Sequence, residues 1–357
     1  MKIAIAGTRG IPNKYGGFEQ FAQEISVELN SKGHDVTVFS PACRNDGFEQ
    51  WNNIKIKKVT CPSLALWFKH FIYDFLSIHW AIKQNFDIIV ICGYVTSFPA
   101  LWWHRSKRKN MVILMDGMEW KRKKWNFMTR RMIKIMERWT CRLSSNLVVD
   151  HPVIQEYYKT HYHKDTHLIA YGCRIKNNIP MPHSPLSLAY PYFIVVARYE
   201  PENQLELVCR AFLKASEKNE LLLFTNKDIK KYHHPKIHII LDEYNDDVLN
   251  FYRQKAKAYI HAYTVGGTNP SLIEAMAYCP TILAFDNAFH RFILKENAFY
   301  FKNEEELVLL MQKISAMQDE TCDTLSKNRA IVLKEYQWEM IADQFIHLFN
   351  NILHDKE

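Results

Sequence analysis

A chain of 357 residues is too long for one ordinary core and fits two domains of about 150 to 180 residues each. With 48% hydrophobic and 24% charged residues it is not a disordered polypeptide, and no apolar run reaches the roughly 18 to 20 uninterrupted residues of a membrane span. The formal net charge of +8 fits nucleic acid, a membrane surface or phosphorylated substrates without choosing among them.

The opening run Lys2-Ile3-Ala4-Ile5-Ala6 is shorter than a signal-peptide core and reads as a first strand that breaks into a glycine loop. Residues 19–32 carry Phe21, Ala22, Ile25, Val27 and Leu29 at near-helical spacing, Gly33-His34 ends that helix, and 36–40 is the next strand. Such a βαβ unit implies a parallel sheet, which continues through strands at 54–59, 87–92, 111–115 and 146–149. Pro180, Pro182 and Pro185 suit a linker, so the expected division is 1–182, 183–337 and a closing helix in 338–357. In the second domain, strands are expected at 192–197, 221–224, 238–241, 258–261 and 281–284, with a helix over 205–216. The closing helix places Met340, Ile341, Phe345, Leu348, Phe349 and Ile352 on one stripe. The 8 cysteines are scattered without a Cys-x-x-Cys pair, which argues against a zinc ribbon or thioredoxin-type site and suits reduced thiols in a cytoplasm.

Four segments have the composition of ligand sites. Gly7-Thr8-Arg9-Gly10 through Gly16-Gly17 lies between the first strand and first helix, where glycines let backbone N–H groups approach an anion; a tight turn without a ligand is the other reading. The pattern is neither GxGxxG nor GxxxxGK[ST], which weighs against a nicotinamide dehydrogenase and a P-loop ATPase. Asp116 and Glu119 follow a strand end, where ligands collect in open parallel sheets, although solvated loop carboxylates look the same. Arg198 follows the first strand of the second domain and either meets a diphosphate or pairs with Glu200 or Glu202. Finally, the strand ending at His261 leads into Gly266-Gly267-Thr268-Asn269-Pro270-Ser271-Leu272-Ile273-Glu274, which reads as a helix start aimed at a phosphate, with Glu274 on its first turn.

Together these segments resemble retaining GT-B glycosyltransferases of the GT4 type, and within them the subgroup of bacterial polysaccharide rhamnosyltransferases. The likeness runs through Gly7 to Pro12, Tyr15 to Glu19, Asp116 to Arg122, Glu200 to Asn203 and Gly266 to Met276, in that order. It implies an α/β GT-B fold: two Rossmann-like domains whose parallel sheets face a cleft, an N-terminal acceptor-binding domain, a C-terminal nucleotide-sugar domain, and a C-terminal helix that crosses back to the first. It further implies Asp116, Arg198 and Glu274 as catalytic residues. Gly16, Gly17, Gly266, Gly267, Thr268, Asn269 and Ser271 join Arg198 and Glu274 against the donor, and Arg9, Tyr15 and Glu119 lie on the acceptor side. Two departures stand out: Gly266 replaces a glutamate that the wider family uses to hold the transferred sugar, and Asn203 replaces a common lysine. The implied reaction moves a sugar, L-rhamnose from dTDP-rhamnose, to a lipid-linked or growing cell-surface saccharide. It needs no cofactor and no metal beyond the nucleotide-sugar co-substrate. GDP-fucose or a UDP-hexose as donor, or a non-catalytic sugar-nucleotide-binding scaffold, are the alternatives.

Residues 101–109 and 121–134 interleave cations with Trp102, Trp103, Trp125, Phe127 and Met128. That mixture suits an anionic membrane surface, with a solvated basic helix as the plain alternative; no nucleic-acid-binding pattern accompanies it. The expected location is cytoplasmic, peripheral on the inner face of the plasma membrane.

Overall fold

The apolar runs read as strands do pair in parallel, and they form two separate sheets. The computed structural model describes residues 1–42, 49–61, 68–115, 117–183, 185–215, 218–317 and 324–354. Met1–Lys121, Trp125–Gly172 and Trp338–Glu357 make one unit; Arg122–Lys124 and Cys173–Gln337 make the other. The division between Gly172 and Cys173 falls before the proline cluster on which the sequence boundary rested.

In the first unit, β1 (Lys2–Ala6), β2 (Asp35–Pro41), β3 (Gln50–Trp51), β4 (Ile54–Val59), β5 (Ile88–Cys92), β6 (Met111–Leu114), β7 (Leu147–Val149) and β8 (His167–Leu168) form a sheet in the order β3-β4-β2-β1-β5-β6-β7-β8. Only the β3/β4 pair is antiparallel. Strands such as β5 are buried along their whole length because helices cover both faces of a parallel sheet. The helices are α1 (Gly17–Ser31), α2 (Lys69–Lys83), α3 (Phe98–Trp103), α4 (Phe127–Leu143) and α5 (Pro152–Tyr162). α1 starts two residues earlier than its apolar spacing suggested, with Gly16 as an extended N-cap. The C-terminal helix Trp338–His354 belongs to this unit and packs on α1, with Phe21 and Phe345 ring centres 5.4 Å apart. Met340 is exposed; a helix turns about 100° per residue, which carries it off the face formed by Ile341, Phe345, Leu348 and Ile352. Gly172 is small for a reason, since a Cβ there would stand 2.5 Å from the Trp338 ring.

The second unit holds β9 (Tyr192–Val196), β10 (Glu220–Thr225), β11 (Ile237–Leu241), β12 (Ala258–His261), β13 (Ile282–Phe285) and β14 (Phe299–Phe301), all parallel, in the order β11-β10-β9-β12-β13-β14. Its helices are α6 (Leu205–Ala215), α7 (Asp246–Lys255), α8 (Pro270–Tyr278), α9 (Ala288–Leu294), α10 (Glu304–Ala316) and α11 (Thr324–Glu335). The core joins Phe193 and Val195 to Val208, Phe212, Leu223, Ile260 and Met311.

Candidate nucleotide-sugar site

From β9 the chain builds outward through β10 and β11, then returns to lay β12 on the other side of β9. Loops leaving the C-terminal ends of two such strands diverge and open a crevice, the usual ligand position in open parallel sheets. Here the loops are residues 197–204 and 262–269, and their bases are pinned together. Thr264 N donates to Glu202 O at 2.9 Å, and Gln204 Nε2 donates to Ala262 O at 3.1 Å.

Arg198 stands half-buried on the first loop, in a turn closed by Asn203 Nδ2 donating to its carbonyl at 2.6 Å. Asn203 therefore shapes the turn that carries the arginine. On the second loop, Thr268 is buried and Asn269 caps α8, its Oδ1 accepting from Ser271 N at 3.0 Å. Pro270 has no N–H, and the Leu272 and Ile273 amides bond to Asn269 O at 3.0 and 3.2 Å. The first turn thus satisfies its own donors, and what α8 presents to the crevice is its dipole.

Ser271 is a structural joint. Its hydroxyl donates to Val196 O at 3.1 Å, lies 2.6 Å from the Tyr259 hydroxyl and accepts from Arg253 Nη2 at 3.1 Å. These contacts fasten the start of α8 to the ends of β9 and β12. With Pro270 as its first residue, α8 places Glu274 on the second turn and not on the first, as the sequence reading had it. Glu274 Oε2 pairs at 2.7 Å with Nη2 of Arg253, a fully buried side chain delivered by α7 and also bonded to Asn250 Oδ1 at 2.7 Å. Burial lowers the Arg253 pKa, while Glu274 and then Tyr259 raise it by more, so the guanidinium is held above its ordinary value. At the end of β12, burial and then His290 push the His261 imidazole well below its usual pKa, leaving it neutral beneath the loop. Gly266 has φ +157°, and a Cβ there would meet the Tyr263 ring at 2.5 Å. An aromatic ring thus occupies the space beside Gly266.

The first unit has its own order reversal, between β1 and β5. Gly7 adopts φ +84°, and a Cβ would strike the Cys92 carbonyl at 2.5 Å, so this glycine is fixed by packing against β5. Arg9 N donates to the buried Glu19 carboxylate at 2.7 Å, and its guanidinium contacts His70 and lies 5.6 Å from the centre of the Tyr15 ring. Gly16 and Gly17 begin α1 beside these groups. On α2, next to Tyr73, Asp74 is buried; burial raises its carboxyl to about 6 against the opposing pull of Thr96, Arg9 and Ser97. Glu119 follows β6, buried, and accepts from Trp125 Nε1 at 2.9 Å. Asp116 lies outside the described residues. Its neighbour Gly117 lines a pocket with Phe18, Phe21, Met115, Asp150 and Phe345.

Of the residues the sequence reading singled out, the structure brings Arg198 and residues 266–274 to the β9/β12 reversal, and Arg9, Tyr15, Gly16 and Gly17 to the β1/β5 reversal. It missed Arg253, His70 and Asp74, which come from helices without any motif.

Residues 1–174 match a family described as a domain of unknown function, DUF1972. No curated protein matches the chain. Among solved structures, the chain is similar to sucrose-phosphate synthase from Thermosynechococcus elongatus, with 18% identity over 99% of both chains and a TM-score of 0.80. HepE of Anabaena, solved in complex with UDP and glucose, is 13% identical over 98% of this chain and 100% of its own, with a TM-score of 0.72. A glycosyltransferase from Rickettsia africae is 14% identical over 99% and 98%, with a TM-score of 0.66. The fold is GT-B: two α/β domains, each built on a parallel sheet.

Proposed function

We propose that the chain is a glycosyltransferase that binds a nucleotide-sugar donor on its second unit and transfers the sugar to a saccharide acceptor. The observation that carries this reading is the β9/β12 reversal, where Arg198, the start of α8 and the Arg253-held Glu274 are built around one strand-end crevice. Arg198 meets the diphosphate with a forked, charge-assisted contact, the α8 dipole adds positive potential, and Glu274 accepts hydrogen bonds from donor hydroxyls. A structural neighbour holding UDP and glucose supports the donor class, and one titled a glycosyltransferase supports the reaction class.

In its finer form the reaction is retaining and of the GT4 type. The bond from the anomeric carbon to the diphosphate oxygen breaks as the acceptor oxygen bonds on the same face, and the departing phosphate oxygen takes the acceptor proton. No metal takes part. The ordered motifs support L-rhamnose from dTDP-rhamnose as the donor and a lipid-linked or growing cell-surface saccharide as the acceptor, with the protein peripheral at the inner face of the plasma membrane. Among the described residues no helix is long and apolar enough to cross a membrane, which suits a peripheral placement. The Tyr263 ring beside Gly266 favours keeping a second reading in which this loop takes GDP-fucose or a UDP-hexose, or binds a sugar nucleotide without turning it over.

Thermal melts with dTDP, UDP and GDP test the proposal. At about 100 times its dissociation constant the matching nucleotide stabilises by about 2.7 kcal/mol. Donor turnover by the native chain, lost in Glu274→Ala and Arg198→Ala, separates an enzyme from a scaffold. Stabilisation by none of the three nucleotides overturns the reading.

A further inference from the structure

We propose that the outer face of α4, with the end of α3, is a docking surface for an anionic lipid bilayer. This deepens the peripheral placement suggested above and does not depend on which sugar nucleotide is bound.

α4 has one buried side and, opposite it, an apolar row that the described residues leave exposed. Ile133, Glu137, Thr140 and Cys141 face inward. Glu137 anchors that side: Tyr157 and Tyr162 donate to its Oε1 at 2.7 and 2.8 Å, and Tyr94 and Tyr158 donate to its Oε2 at 3.2 and 3.3 Å. The one acidic residue of the helix is therefore sequestered under it. Turned away from that side are Met128, Met132, Ile135 and Trp139, which the 3.6-residue period places in a single row, with Met128 81% exposed. Arg131, Lys134, Arg138 and Arg142 are all exposed along one side of this row. α3 packs against α4 and ends in the exposed Trp102 and Trp103, the latter 65% exposed and edge-on to Phe75 of α2 at 6.4 Å.

The charge pattern selects the occupant. A second copy of this chain would bring like charges together across the same face, because α4 shows four exposed cations and no exposed acid. A nucleic acid would engage the cations and leave the central row of Met, Ile and Trp unexplained. A bilayer with anionic headgroups uses both: apolar side chains enter the interface, indoles settle at headgroup level, and arginines and lysine meet lipid phosphates. From Met128 to Trp139 the row extends about 16 Å along the surface, enough to lie on a membrane and far short of crossing one.

The test is co-sedimentation of the full chain with vesicles of phosphatidylcholine alone or mixed with phosphatidylglycerol. Binding is expected only to the mixed vesicles and should weaken as salt rises. Arg131→Gln with Arg138→Gln should lower the partition coefficient about 25-fold, at about fivefold per cation. Met132→Ser with Ile135→Ser should lower it about tenfold or more. Lys159→Gln, an exposed cation on α5, should change it little. Quenching of tryptophan fluorescence by brominated phosphatidylglycerol in the unaltered chain gives a readout that needs no variant. Equal binding to both vesicles, binding to neither, or unchanged binding by the α4 variants would overturn the proposal. So would a concentration-dependent dimer that the same variants abolish, since the face would then join two copies. Nucleotide stabilisation measured without vesicles stays independent, so failure here leaves the donor reading standing.

Discussion

The two strand-order reversals share a topology and treat a buried carboxylate in opposite ways. At the β9/β12 reversal, Glu274 is neutralised by a fully buried arginine 2.7 Å away. At the β1/β5 reversal, Asp74 is buried with no equivalent ion pair among the described residues, and desolvation outweighs the pulls of Thr96, Arg9 and Ser97, so its carboxyl is raised to about 6. The crevice comes from strand order, while the charge state comes from helices outside the glycine loops: α7 brings Arg253 and α2 brings Asp74. The second unit thereby holds its carboxylate in a fixed, buried ion pair. The first keeps a carboxyl that changes charge in the range of ordinary pH.

The largest effect expected from breaking this contrast is at Arg253. Replacing it by Met leaves the Glu274 carboxylate buried without its partner and removes a donor from both Asn250 and Ser271. Loss of one member of such a pair costs about 3 to 5 kcal/mol, read as a lower urea midpoint for the second unit. A loss under about 1 kcal/mol would mean that the pair does not organise α8.

How much of this was legible in the chain varies by the kind of signal. The strands at 192–196 and 258–261 were readable because buried parallel strands are continuous apolar runs, and the α8 start was readable from Asn269-Pro270. β3, β8 and β14 were missed because two or three residues carry no period. Arg253 was illegible: in Asp246-Asp247-Val248-Leu249-Asn250-Phe251-Tyr252-Arg253 it looks like one more solvated charge, and only the packing of α7 on α8 buries it. Asp74 reads the same way on α2. Ser271 shows the converse: the sequence puts a hydroxyl beside a glycine loop, and only the structure shows it bonded to Val196, Tyr259 and Arg253.

The next effect sharpens the contrast through pH. Asp74 has a folded pKa of about 6 against an ordinary 3.8, so the folded state binds its proton more tightly than the unfolded chain does. The stability it contributes is therefore full below about pH 4 and is lost as pH rises through about 6. Asp74→Asn cannot ionise. It is expected to exceed the native chain in stability by about 3 kcal/mol at pH 7, with the gap shrinking as pH falls towards 4. His261 works in the other direction, its lowered pKa weakening the fold as pH drops below the ordinary histidine range, but it is common to both proteins and cancels in the difference. A gap that does not move with pH would show that Asp74 is not held protonated.

The smallest effect concerns the loop before α8, where Gly266 makes a second contrast with Gly7 of the first unit. The atom that blocks a Cβ at Gly7 is a backbone carbonyl of β5, which cannot yield; the atom that blocks one at Gly266 belongs to the Tyr263 ring, which can turn. Gly266→Ala is expected to cost about 1 to 2 kcal/mol, part from the unusual φ and part from the ring. Tyr263→Ala should remove the second part, so the double variant should be less destabilised than the sum of the singles by about 0.5 to 1 kcal/mol. Strict additivity in urea melts would separate the glycine from the ring. Coupling would show that this position is glycine because a tyrosine has taken the neighbouring space, and the size of a side chain tolerated at 266 would then be set by what stands at 263.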